Sequence, residues 1–138
     1  MLEMTEEEVK NIITELEANK TIFGYRTLIN WDKANKEHVL ALIEVKVTPQ
    51  RDVGFKAVAE RIGRYPEVKT LYLMSGAYDL AVFVEGRTMQ EISNFVATKL
   101  APLDGVTSTV THFVMQTYKS EGIILENGEE DHRLVMSP

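Results

Sequence analysis

Six residues offer the polar side chains and open backbone that a small-molecule site would need. Ser75, Gly76, Tyr78 and Asp79 fall in the run LMSGAYDLAV, a polar break between two apolar stretches. The hydroxyls of Thr109 and Thr111 follow in VTSTVTHF. Glycine lets backbone approach a ligand closely. An aspartate can hold an α-ammonium group, while backbone N–H groups and hydroxyls can hold a carboxylate. Together they suit a free amino acid. The plainer alternative is a turn, with Gly76 and Asp79 shaping it and Asp79 bonded to its own backbone. Thr109 and Thr111 would then be present for β propensity. Both readings stand on these residues alone.

Other chemistries find little support. There is no cysteine, so disulfides and thiolate nucleophiles are out; the lack suits a reducing, cytoplasmic setting. His38, His112 and His132 share no metal-ligand spacing. His112 reads as a strand residue with one nitrogen satisfied. Gly76-Ala77-Tyr78 is too short for a phosphate loop and precedes no helix. No catalytic constellation, metal set or cofactor cradle emerges. No apolar run reaches the ~18 residues that a membrane span needs. Net charge is −6, made of −4 in residues 1–20, −4 in residues 121–133 and +2 elsewhere. Neither end offers the basic patch that phosphate binding asks for.

The elements that must position the polar break follow from periodicity. Thr5 with Glu8 is a capping box, and Val9, Ile12, Ile13 and Leu16 make one helical face ended by Asn19. Ile22 to Asn30 is β-rich and predicts a strand; WDKANKEH is a polar connection. Val39 to Val47 is a strong strand. Phe55, Val58, Ala59 and Ile62 form a second stripe. Val68–Met74 and Leu80–Glu85 are strands. Thr88 with Glu91 is a second capping box, opening a third stripe, Ile92, Phe95, Val96 and Leu100. Val106 to Tyr118 predicts a long strand. Asn127-Gly128 in the acidic tail signals a hairpin.

The two halves echo each other. A shift of 38 residues carries Val58-Ala59 onto Val96-Ala97, Ile62 onto Leu100 and Val68 onto Val106. Strand–helix–strand twice over predicts an α+β, ferredoxin-like βαββαβ antiparallel sheet with two helices on one face. The other face stays bare. Its residues are expected among Leu42, Glu44 and Lys46 and among Leu71, Leu73, Val82 and Val84. A second copy is the expected cover, giving a dimeric sandwich. The domains read as 1–31, a helix and strand; 32–119, the sheet domain; and 120–138, an acidic extension.

These motifs resemble the Lrp/AsnC family of feast/famine transcription regulators over almost the whole chain. The Gly76-Ala77-Tyr78-Asp79 loop and the start of the strand from Gly105 to Thr111 are the most specific marks. ALIEVKV, YPEVKTLYLMSGAYDLAVFV and LDGVTSTVTHFV resemble that family's effector-binding, or RAM, domain. The helix EEEVKNIITELEANKTI followed by FGY resembles the end of its winged helix-turn-helix. The resemblance implies DNA binding, dimerisation through RAM sheets, assembly up to octamers and sensing of free amino acids at Gly76, Tyr78, Asp79, Thr109 and Thr111. It implies no cofactor, no membrane and no enzyme activity.

One departure stands out. Only ~24 residues precede Tyr25, room for one helix of modest length, so the DNA-reading head is expected to be incomplete. Glu6, Glu7 and Glu8 would also face phosphates at the turn that should meet bases. A truncated chain, a late start codon and an effector-only relative all explain this. Two other functions remain open: a stand-alone binding or assembly module acting on full-length paralogues, and a ferredoxin-like dimeric enzyme.

Overall fold

The computed structural model describes residues 3–49 and 54–125. A four-stranded antiparallel sheet forms its centre, with β1 (Val39–Val47), β2 (Val68–Leu73), β3 (Leu80–Gly86) and β4 (Val106–Phe113) in the order β2-β3-β1-β4. Around it lie α1 (Glu6–Ala18), α2 (Trp31–Ala34), α3 (Lys56–Gly63) and α4 (Met89–Phe95), the last running into a π-helical turn, Val96–Leu100. Each helix of the sheet domain links strands that have a third between them: α3 crosses β3, and α4 crosses β1. This is the split βαβ order read from the sequence echo.

Strand periodicity explains which residues are inside. Ala41, Ile43, Val45 and Val47 alternate along β1 and are all buried. They lie opposite Val84, Val82 and Leu80 of β3, and Val58 and Ile62 of α3 with Ile92, Phe95 and Leu100 complete the core. Burying one such aliphatic side chain is worth about 1.5–3 kcal/mol. Ile62 and Leu100, the residues matched by the internal echo, are both fully buried.

The register corrects the expected bare face. Leu71 pairs with Val82 and Leu73 with Leu80, so these four, with Val84, point to the helix side. The open face instead carries Leu42, Glu44 and Lys46 with Tyr72, Phe83, Val110 and His112. A one-residue offset moves a side chain to the other face, and the sequence did not fix the offset of β2 and β3. On the open face Tyr72 and Phe83 meet edge to face at 6.0 Å between ring centroids.

Four boundaries differ from expectation. Residues 23–30 form no ladder, because no strand among the described residues lies beside them. The polar connection holds the α2 turn, capped by the Asn30 side chain on the Lys33 amide and stopped by Asn35 in the left-handed region. β4 ends at Phe113, not Tyr118: the Val114 amide still reaches the Leu40 carbonyl at 2.8 Å, but β1 begins at Val39 and offers nothing further. Beyond it, β5 (Lys119–Ser120) and β6 (Ile123–Ile124) make a small hairpin turning at Glu121-Gly122. The hairpin expected at Asn127-Gly128 lies outside the described residues.

Of the two capping boxes expected, the first forms in full and the second by half. Thr5 and Glu8 exchange side chain–backbone bonds at 3.2 and 3.3 Å. Thr88 accepts the Glu91 amide at 3.1 Å, while Glu91 reaches the amide of Arg87 instead of Thr88. α1 has no fully buried residue: in its apolar stripe Ile12 and Ile13 are exposed, and Val9 and Leu16 are half-buried.

Candidate functional site

The loop between β2 and β3 is tied down at both ends. The Met74 amide donates to the Asp79 carbonyl at 2.8 Å, and the Asp79 amide donates to the Val45 carbonyl at 3.0 Å. The Asp79 carboxylate accepts the Val47 amide at 2.8 Å. Asp79 is therefore not bonded to its own backbone, as the plain turn reading had it; it extends the β1–β3 ladder with a side chain. Between these anchors the chain must reverse, and Gly76 does so at φ +132°, where a Cβ is disfavoured. The amides of Ser75 to Tyr78 find no backbone acceptor among the described residues. The loop is thus fixed at its base, while its tip, Ser75 to Ala77, is exposed. Tyr78 is half-buried.

An apolar hollow adjoins the loop. Phe55, Lys56, Ala59, Leu71, Leu73 and Leu80 line about 450 Å³ between α3 and the end of the sheet. Leu73 and Leu80 are register partners and flank the loop directly. This hollow was not foreseen: its walls come from three elements, and only the stripe of α3 signalled one of them.

Thr109 and Thr111 lie opposite Val45 and Ile43, hence on the helix side of the edge strand β4. Two strand spacings, ~10 Å, separate them from β3. Gly76, Tyr78 and Asp79 are brought together; the two threonines form a separate group within one chain. Both are half-buried.

Two of the three histidines, His38 and His112, make contacts within the sheet domain, and His132 lies outside the described residues. His112 Nε2 is at hydrogen-bonding distance from Glu44 Oε2 on the open face, the single satisfied nitrogen expected for it. His38 stacks on Trp31 at 4.2 Å, with its Nε2 3.5 Å from Glu85 Oε1. That pair borders a larger, mixed-charge groove of about 860 Å³ where residues 26–32 meet residues 114–121, at the far end of the sheet from the Asp79 loop. Among the described residues no three His, Asp or Glu gather as a metal site, and no helix is long and apolar enough to cross a membrane.

A β2-β3-β1-β4 sheet with its helices on one face defines an α+β protein of ferredoxin-like class. Its residues 40–124 match the Lrp/AsnC ligand binding domain. The chain is 51% identical over 132 residues to the HTH-type transcriptional regulator YugG of Bacillus subtilis, covering 95% of this chain and 80% of that one. The chain belongs to the Lrp/AsnC family of transcriptional regulators. Its fold is similar to that of regulator NMB0573 of Neisseria meningitidis in complex with L-Met, with a TM-score of 0.69 at 21% identity over 87% of this chain and 77% of that one. It is equally similar to Escherichia coli AsnC, with a TM-score of 0.69 at 18% identity over 87% and 78% of the two chains. The relatives are regulators, not enzymes.

Proposed function

We propose that this chain senses a free amino acid and transmits its presence through self-assembly. The observation that carries the reading is the β2–β3 loop, held at its base by the bond from Val47 to Asp79 while its tip amides have no backbone acceptor among the described residues. Those amides and the Asp79 carboxylate offer the two polarities that a zwitterion needs. Gly76, Tyr78 and Asp79 make the first contacts, and the hydroxyls of Thr109 and Thr111 form a second polar group. The fold-related NMB0573 structure holds L-Met, which supports an amino acid as the ligand class.

Assembly begins at the open face of the sheet. Leu42, Tyr72, Phe83 and Val110 give it an apolar character that a twin sheet would cover, making a homodimer that can build to an octamer. An effector at the loop shifts the assembly equilibrium by whatever affinity difference it has between the states, and so resets the spacing of DNA-reading heads. A second reading is favoured by the acidic first turn of α1: Glu6, Glu7 and Glu8 would repel phosphates. In it, the chain modulates full-length paralogues through mixed oligomers. Titration with operator DNA separates the two, because a DNA reader shows a salt slope and a modulator shows none.

The test of sensing is a melting experiment with each of the free amino acids. At one hundred times its Kd a ligand stabilises by about 2.7 kcal/mol, a shift of several degrees for a domain of this size. At least one amino acid is expected to raise Tm, and Asp79→Ala to remove that rise. A rise that survives Asp79→Ala refutes the site.

A further inference from the structure

We propose that Trp31, His38 and Glu85 form a proton-operated latch, which fastens the arm that carries α1 to the sheet more firmly in mild acid than at alkaline pH. The latch stands apart from amino-acid sensing and uses none of the loop's residues.

The first observation is placement. α2 follows directly on the run that leads out of α1, and Asn35 in the left-handed region stops it. His38 comes immediately before β1. Its ring stacks on Trp31, with centroids 4.2 Å apart and planes 10° from parallel. α2 is thereby folded back onto the chain's entry to the sheet. Glu85 lies on β3, opposite Leu40 of β1. The approach of His38 to Glu85 therefore ties the end of the arm to the two central strands.

The second is an unanswered nitrogen. His38 Nε2 is shut off from solvent, makes no hydrogen bond among the described residues, and lies 3.5 Å from Glu85 Oε1. A neutral ring leaves this geometry unused: it either turns a lone pair toward a carboxylate or donates across a long gap. A charged ring makes an ion pair with Glu85 and sets a cation against the face of Trp31. Histidine is the side chain that changes charge between about pH 5 and 8.

The third is the local field. The charged groups lining the groove with His38 are Arg26 before α2, Asp32 on α2, Lys69 on β2, Glu85 on β3 and Glu121 in the β5–β6 turn. Three acids stand against two bases, so an imidazolium balances the set. On its own segment Lys36 and Glu37, of opposite sign, are exposed. Protonation thus closes the latch. As pH rises through the histidine range, the arm loses the ion pair and the cationic part of the stack.

Trp31 is the chain's only tryptophan, and an imidazolium stacked on an indole quenches its emission. Titration of the full chain from about pH 8 to about pH 5.5 is expected to lower Trp31 emission, and His38→Gln to abolish the change. Hydrogen exchange, corrected for its intrinsic pH dependence, reads the latch itself. Amides of residues 31–38 are expected to be at least about threefold better protected at the lower pH. Glu85→Gln should keep the quenching, because the ring still titrates against Trp31, and lose the gain in protection. Emission that does not respond to pH, or responds equally in His38→Gln, overturns the latch. So does protection that is the same at both pH values, or a gain that survives Glu85→Gln. Should His38→Gln fail to fold, the exchange comparison of Glu85→Gln with the unaltered chain decides alone.

Discussion

Asp79 and Val47 lie 32 positions apart and are joined by one bond, from the Val47 amide to Asp79 Oδ2 at 2.8 Å. That bond closes the sheet end of β1 and fixes the base of the loop that carries Gly76 and Tyr78. Asp79 is thus a structural residue before it is a ligand contact, and the two roles separate by substitution. Asp79→Ala leaves the Val47 amide without its acceptor and is expected to destabilise the domain by about 1–3 kcal/mol. Asp79→Asn keeps an acceptor oxygen but not the charge, so most of the stability should return without the effector response. Urea melts of the two variants, with and without the best ligand, check this.

Gly105 immediately precedes β4 with φ +93°, and a Cβ there would lie 3.1 Å from Val58 Cγ2 of α3. Gly105→Ala therefore combines backbone strain with a push on the core. The expected loss is about 1–3 kcal/mol, read as a lowered urea midpoint with unchanged m-value.

Glu67 precedes β2 and receives the Lys99 ammonium at 2.9 Å. Burial alone would raise its carboxyl, but the Lys99 hydrogen bond, the Glu67 backbone and the charges of Lys99 and Lys69 outweigh this and hold it below the ordinary glutamate value. A depressed carboxyl contributes stability that is complete above the unfolded value and is lost as pH falls through the folded one. Lys99→Met should therefore be less stable at neutral pH, by up to about 1 kcal/mol for a partly exposed pair. The difference should shrink once the pH is below the folded Glu67 value. Melts of both proteins across the acid range give the answer.

Val110 stands on the open face and is 51% exposed. A carboxylate there disturbs no core, but in the proposed dimer it would be buried unpaired between two sheets. Val110→Asp should raise the dimer dissociation constant at least about tenfold while leaving the circular dichroism unchanged. Light scattering across a dilution series reads it.

Local and periodic features were legible in the residues. The alternation of VLALIEVKV gave β1 its bounds because one face is buried at every second position. The Thr5 and Thr88 caps were visible because capping depends on residues three apart. The strand order followed from the echo that pairs Ile62 with Leu100. The rest depends on what strands meet across the sheet. The register of β2 against β3 decides whether Leu71 or Tyr72 faces the helices, and nothing within LYL encodes it. Ile22 to Asn30 has strand composition, but a ladder needs a neighbour. The bond from Val47 to Asp79 spans two elements, so only the acid's presence in the loop hinted at it. The polar half of the candidate site was named from its residue types; the apolar hollow beside it exists only once α3 is laid on the sheet.

Sedimentation velocity of the chain, alone and with a saturating amino acid chosen by the melting screen, tests the central claim most directly. A sensor that works through assembly should sediment as a dimer or larger without effector and redistribute between assembly states when effector is added. A monomer at every concentration, or a distribution that the bound amino acid leaves unmoved, would contradict it.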